Sequence, residues 1–135
     1  MPWINANNYN ESIDALQNAK SDILMGHLEV DGFAMTGQGM VSTSGWEKEH
    51  FKRFETVFSG HFHHKNDDGQ IFYLGTPYEI YWNDCDDPKG FHIYDTATKE
   101  LERIVNPFTI FKKVFYDFYM FFKPVFKLFC HYVAE

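Results

Sequence analysis

The sequence predicts an α/β fold whose first half mixes helix and parallel strand and whose second half is antiparallel β. Three observations carry this. Two short apolar runs, Ile23-Leu24-Met25 and Thr56-Val57-Phe58, look like buried strands, and each leads through glycine to histidine (Gly26-His27; Ser59-Gly60-His61). A stretch with a one-sided apolar face precedes each run. After Gly69, strand-like segments alternate with turn clusters.

In chain order, Met1 to Asn8 reads as the tail of a strand or the loop after one. Asn10-Glu11-Ser12 can cap a helix running to about Lys20, with Ile13, Leu16 and Ala19 on its inner face. Ser21 to Gly26 is then a strand. Leu28 to Gly45 holds Gly32, Gly37, Gly39 and Gly45 and reads as a surface loop with short extended pieces. Trp46 to Phe54 reads as a helix that turns Phe51 and Phe54 inward. Glu55 to Ser59 is the second buried strand, and Asn66-Asp67-Asp68-Gly69 is a turn. Gln70 to Leu74 is a strand broken by Gly75-Thr76-Pro77. Tyr78 to Trp82 is extended and aromatic, and Asn83 to Gly90 is a polar turn. Phe91 to Asp95 and Leu101 to Val105 form a hairpin.

The totals set bounds on function. A chain of 135 residues, 44% hydrophobic and 23% charged, suits one domain or part of a larger one. A net charge of -7 argues against a general nucleic-acid coat protein. It leaves room for an enzyme that meets phosphate through cations, which dominate a local field. Cys85 and Cys130 form no Cys-x-x-Cys pattern and read as free thiols in a reducing cytoplasm, the host's if the gene is viral. Met1-Pro2-Trp3-Ile4-Asn5 carries no secretory signal.

The chain divides at about residue 105. Residues 1–105 carry the α/β pattern, and 106–135 form an irregular aromatic tail to which the sequence assigns no role. The tail is crowded with Phe and Tyr but interrupted by Asp117, Lys123, Pro124 and Lys127. A spanning helix needs about 20 mainly apolar residues, so no transmembrane segment is expected. Packing on the domain or on a partner is the favoured reading, with a membrane-surface segment the alternative.

Histidines His50, His92 and His131 read as structural or surface residues. His27, His61 and His63 stand apart, because His27 and His61 each follow a glycine that ends a strand and His63 comes two residues after His61. Open α/β sheets bind ligands at that edge, and imidazole is the commonest ligand for transition metals. At period 2, His61 and His63 share a side if the segment stays extended. The trio is therefore a candidate metal site, with His64 solvent-facing or supporting. Asp84, Asp86 and Asp87 read as a solvated turn.

Gly26-His27-Leu28-Glu29, Phe58-Ser59-Gly60-His61-Phe62-His63, Tyr73-Leu74-Gly75-Thr76-Pro77-Tyr78 and Asp87-Pro88-Lys89-Gly90-Phe91, followed by Tyr94-Asp95-Thr96, come in an order that resembles a known family. It is that of the calcineurin-like metallophosphoesterases, and within it the SbcD-type DNA-repair exonucleases and phage recombination endonuclease subunits. The likeness runs from about Pro2 to Phe115. It implies a four-layer α/β/β/α sandwich holding two divalent metal ions, manganese in this nuclease group. His27 and His61 would bind one metal and His63 the other, and the metal pair would activate water against the DNA backbone. It also implies an SbcC-type coiled-coil ATPase partner and a nuclease subunit that commonly forms homodimers.

The family's earlier motifs, Asp-x-His, Gly-Asp-x-x-Asp and Gly-Asn-His-Asp, do not occur here. The expectation is therefore the carboxyl-terminal portion of such a nuclease domain, with little or no activity until an amino-terminal piece supplies the other ligands. No residue of this chain is assigned a catalytic role beyond metal binding. The alternative is a non-catalytic remnant that serves as an interaction module for a coiled-coil ATPase or a membrane. A phosphoesterase acting on proteins or small phosphoesters shares the histidines but not the Gly75-Thr76-Pro77 surroundings.

Overall fold

The computed structural model describes residues 1–115 and a strand at 129–132. Helix α1 spans Tyr9–Asn18, and strands β1 (Ile23–Gly26) and β2 (Thr56–Ser59) follow. Strands β3 (Asn66–Asp67) and β4 (Ile71–Tyr73) complete a four-stranded sheet in the order β1-β2-β4-β3. The fold is mixed α/β, as the patterning predicted.

β1 and β2 run parallel, with Met25 opposite Phe58 and Gly26 opposite Ser59, and β2 runs parallel to β4. All four residues of β2 are buried, as a central parallel strand requires, since both its faces are covered. β1 lies at the edge and leaves Met25 exposed. The register matters for function, because it sets the two Gly-His ends side by side.

The core is one cluster. Leu16 of α1, Leu24, Val57 and Ile71 of the sheet and Phe51, Phe54 and Phe62 of the connections pack together. Leu28, Val30 and Phe33 belong to it too, all nearly fully buried. The first part of the 28–45 segment is therefore not a surface loop. Polar pins explain this. Tyr73 Oη donates to the Leu28 carbonyl (3.0 Å) and accepts from Val30 N–H (2.8 Å), and isolated bridges pair Val30 with Trp46 and Ala34 with Val41. With its backbone polar groups satisfied, an irregular segment can enter a core.

Two other expectations shift. The helix begins at Tyr9, ahead of Asn10, and Asn8 spends its side chain on Asn5 N–H and the Trp3 carbonyl. The expected helix at 46–54 is only a 3-10 turn over Lys48–Phe51. Phe51 and Phe54 are buried as predicted. The Gln70 side-chain amide takes the carbonyls of both, at 3.1 and 2.7 Å, so no further helical turn is needed to satisfy them.

Strands β5 (Gly90–Tyr94) and β6 (Leu101–Val105) form the predicted hairpin. Tyr94 meets Phe58 edge-on at 5.0 Å, which seats the hairpin on the sheet. Between β4 and β5, the expected extended run at 78–82 is irregular and closes in a 3-10 turn over Trp82–Asp84. Strand β7 (Phe111–Val114) pairs antiparallel with β8 (Phe129–Tyr132). The reading of the aromatic tail falls largely on residues 116–128 and 133–135, which lie outside the described residues. Among the described residues no helix is long and apolar enough to cross a membrane.

Candidate functional site

The site forms where β1 and β2 end. His27 leaves β1 and His61 follows Gly60 after β2. Their rings meet edge-on, with His61 Nδ1 3.1 Å from His27 Nε2. Two nitrogens in that contact require one proton between them: one ring donates and the other accepts. Two ligands bound to one tetrahedral ion at metal–nitrogen distances of 2.0–2.1 Å sit about 3.3 Å apart. The 3.1 Å separation of the facing pair is close to that spacing.

The backbone around His27 is held from below. Ser59 Oγ accepts from Leu28 N–H (3.0 Å) and donates to the Leu28 carbonyl (2.8 Å). His27 N–H donates to the Met1 carbonyl at 3.1 Å. From above, the Trp3 ring lies 5.6 Å from the His27 ring and 4.7 Å from that of His61. Glu29 completes the group: its Oε2 stands 3.9 Å from His61 Nε2, and its Oε1 accepts from Ser42 and Ser44. His27 and Glu29 open on a cleft of about 210 Å³ that Trp3, Ser44 and Trp46 also line.

Burial holds the His61 imidazole below its usual range. His27 adds to that, Glu29 opposes it, and His63 adds a little more in the same direction as His27. A neutral imidazole keeps a lone pair and is the form that binds metal.

His63 goes elsewhere. β2 ends at Ser59 and the chain bends, so the alternation that would set His61 and His63 on one side does not hold. The bend is fixed at the His63 carbonyl, which accepts from Thr76 N–H (3.2 Å) and Lys89 Nζ (2.8 Å). The His63 ring stacks on Tyr81 at 5.3 Å, nearly parallel to it, with Nδ1 3.4 Å from Asp84 Oδ2. His64 Nδ1 is 2.8 Å from Asp87 Oδ1, so it too has a carboxylate partner.

The solvated reading of the 84–87 turn needs correction. Asp84 and Asp87 have nearly buried carboxylates, and Lys89 Nζ lies between them at 2.9 and 2.8 Å. Only Asp86 stands outward, paired with Lys113. Burial by itself would raise the Asp84 carboxyl. The N–H groups of Tyr81 and Ile80 and the Lys89 ammonium outweigh it and hold the group at about 2. The sequence signal for this is the Asp84-x-x-Asp87-x-Lys89 spacing, which brings opposite charges together in one tight turn. Trp3, Glu29 and Tyr81 carried no such signal.

Among the other histidines, His50 contacts the Glu47 carbonyl as a structural residue would. His92 is half-buried with neither ring nitrogen paired among the described residues. Of the three candidate ligands, only His27 and His61 are brought into direct contact. Among the described residues no group of three or more His, Cys, Asp or Glu side chains is placed to hold a metal ion.

No protein-family profile matches the chain. Over 118 residues, 87% of its length, the chain is 33% identical to exonuclease subunit 1 of Enterobacteria phage T4, and it spans 34% of that protein. The chain is thus similar to about a third of a phage exonuclease subunit, and that third takes in both histidine-bearing strand ends.

Proposed function

We propose that this chain forms part of a two-metal nuclease of the calcineurin-like metallophosphoesterase type, acting on the phosphodiester backbone of DNA. The observation that carries the reading is the His27–His61 contact of 3.1 Å at the ends of adjacent parallel strands. The similarity to a phage exonuclease subunit supports it. In this reading the β1–β4 sheet and the β5–β6 hairpin belong to the two facing sheets of a four-layer sandwich. His27 and His61 would hold one divalent cation, manganese in this group, and His63 the other. Bound there, the cations would supply Lewis-acid charge to phosphate oxygens.

This chain's own part is to orient donors. Ser59 fixes the peptide after His27, burial favours the neutral form of His61, and Trp3 shields both rings on one side. Two imidazoles do not fill a coordination sphere, so carboxylates from another segment are needed for activity. That segment would be an amino-terminal half of the domain, and an SbcC-type coiled-coil ATPase is the expected partner subunit. A nuclease assay with manganese, with and without the complementary half, tests this. Activity is expected only for the combination and is lost in His61→Ala. Turnover by the isolated chain that survives His61→Ala overturns the reading.

One observation favours a second reading, a non-catalytic interaction module. The described residues offer no three-donor group, while Phe91, Ile93 and Val105 of the hairpin are more than half exposed. In that case the complementary half restores no cleavage.

A further inference from the structure

The geometry points to Asp84 as a positioning residue that, with Tyr81, fixes the ring plane and proton position of His63 so that its Nε2 presents a lone pair. This rests on the nuclease reading only for what Nε2 would bind. Oδ2 of Asp84 accepts from Ile80 N–H and Tyr81 N–H, both at 2.9 Å, and Oδ1 accepts from Lys89 Nζ at 2.9 Å. The side chain therefore cannot swing, and with three donors already on it the group stays a carboxylate. A carboxylate only accepts. The His63 nitrogen that faces it, Nδ1 at 3.4 Å, must then carry the proton. Tyr81 lies parallel to the ring, with 5° between the planes, and sets the remaining torsion. Lys89 also holds the His63 carbonyl, so backbone and ring are tied to the same turn.

The consequence is a choice of ligand chemistry. A neutral histidine with its proton on Nδ1 offers Nε2 as an electron-pair donor, suited to a divalent cation. The opposite tautomer would offer Nε2–H, suited to a phosphate oxygen. Asp84 selects the first. It touches no substrate and acts only through His63.

The test is long-range proton–nitrogen spectroscopy of the whole chain labelled with nitrogen-15 histidine, metal-free, at about pH 8, above the ordinary histidine range. His63 is expected to show a protonated Nδ1 and a bare Nε2. Asp84→Asn is expected to keep that form, because Ile80 and Tyr81 N–H hold its amide oxygen where Oδ2 stood. Folded Asp84→Ala is expected to distribute the proton over both nitrogens. If Asp84→Ala does not fold, the wild-type and Asp84→Asn spectra still decide. A wild-type His63 protonated on Nε2, or a folded Asp84→Ala with an unchanged tautomer, overturns the inference. The spectrum is read without metal or DNA, so its failure is separate from failure of the nuclease reading, which the cleavage assay measures.

Discussion

Ser59 and Leu28 exchange two hydrogen bonds through one hydroxyl, with Oγ accepting from the Leu28 amide and donating to the Leu28 carbonyl. A buried side chain thus stands in for a neighbouring strand at the point where β1 leaves the sheet. Leu28 lies between His27 and Glu29, so the pin fixes both flanking side chains. Replacing Ser59 by Ala leaves a buried amide without its acceptor. The expected cost is about 1–3 kcal/mol, read by urea unfolding. Nuclear Overhauser contacts between the His27 and His61 rings should weaken in the same variant.

Lys89 makes a stronger prediction. Its ammonium is nearly fully buried between Asp84 and Asp87. Removing one member of a buried ion pair leaves the opposite charge without its counter-ion, at about 3–5 kcal/mol. Lys89→Met should therefore be among the more damaging single changes by thermal melting. Lys99→Met, which loses only an exposed pair with Glu55, should melt close to the wild-type protein.

Acid should weaken the fold in two stages. His61, lowered chiefly by burial, and His92, lowered by burial and then by Arg103 and Lys65, bind fewer protons folded than unfolded below their ordinary value of 6.5. Their contribution is present above about 6.5 and is lost as pH falls through their lowered folded values. Asp84, held at about 2 against an ordinary 3.8, gives a second loss of about 2 kcal/mol as pH falls through that lower interval. Unfolding free energy measured against pH checks both, and His61→Ala with His92→Ala should flatten the first stage.

Gly75 tests the loop that carries His63. Its φ is +74°, and an added Cβ would come within 3.0 Å of the His63 carbonyl and 3.1 Å of Lys65 N. Gly75→Ala is expected to cost about 1–3 kcal/mol and to shift the His63 ring resonances. Gly69, also at positive φ but with open space around it, should show only the smaller backbone penalty.

The readable parts of this chain were those whose physics is local. β2 is an apolar run that had to be buried on both faces, and β5–β6 is an alternating pair around a turn, so both stood close to where the patterning put them. The His27–His61 meeting was legible because parallel pairing aligns two Gly-His ends. Distant partners were not. Nothing near Leu28 announces that Tyr73, far along the chain, will satisfy its carbonyl. Nothing near Phe51 announces that Gln70 will halt a helix there. His63 was placed with His61 by a strand period that ends where the strand ends, and Asp84 claims it from another loop.

The tripod at Lys89 has one further consequence. Its amine is shielded by two carboxylates and a carbonyl, while Lys52 and Lys99 stand in water. A reagent that acylates amines should mark those outer positions at once and reach Lys89 only during rare openings of the 84–89 turn. The rate at which that single position becomes modified therefore reports how often the anchorage beneath two imidazoles lets go.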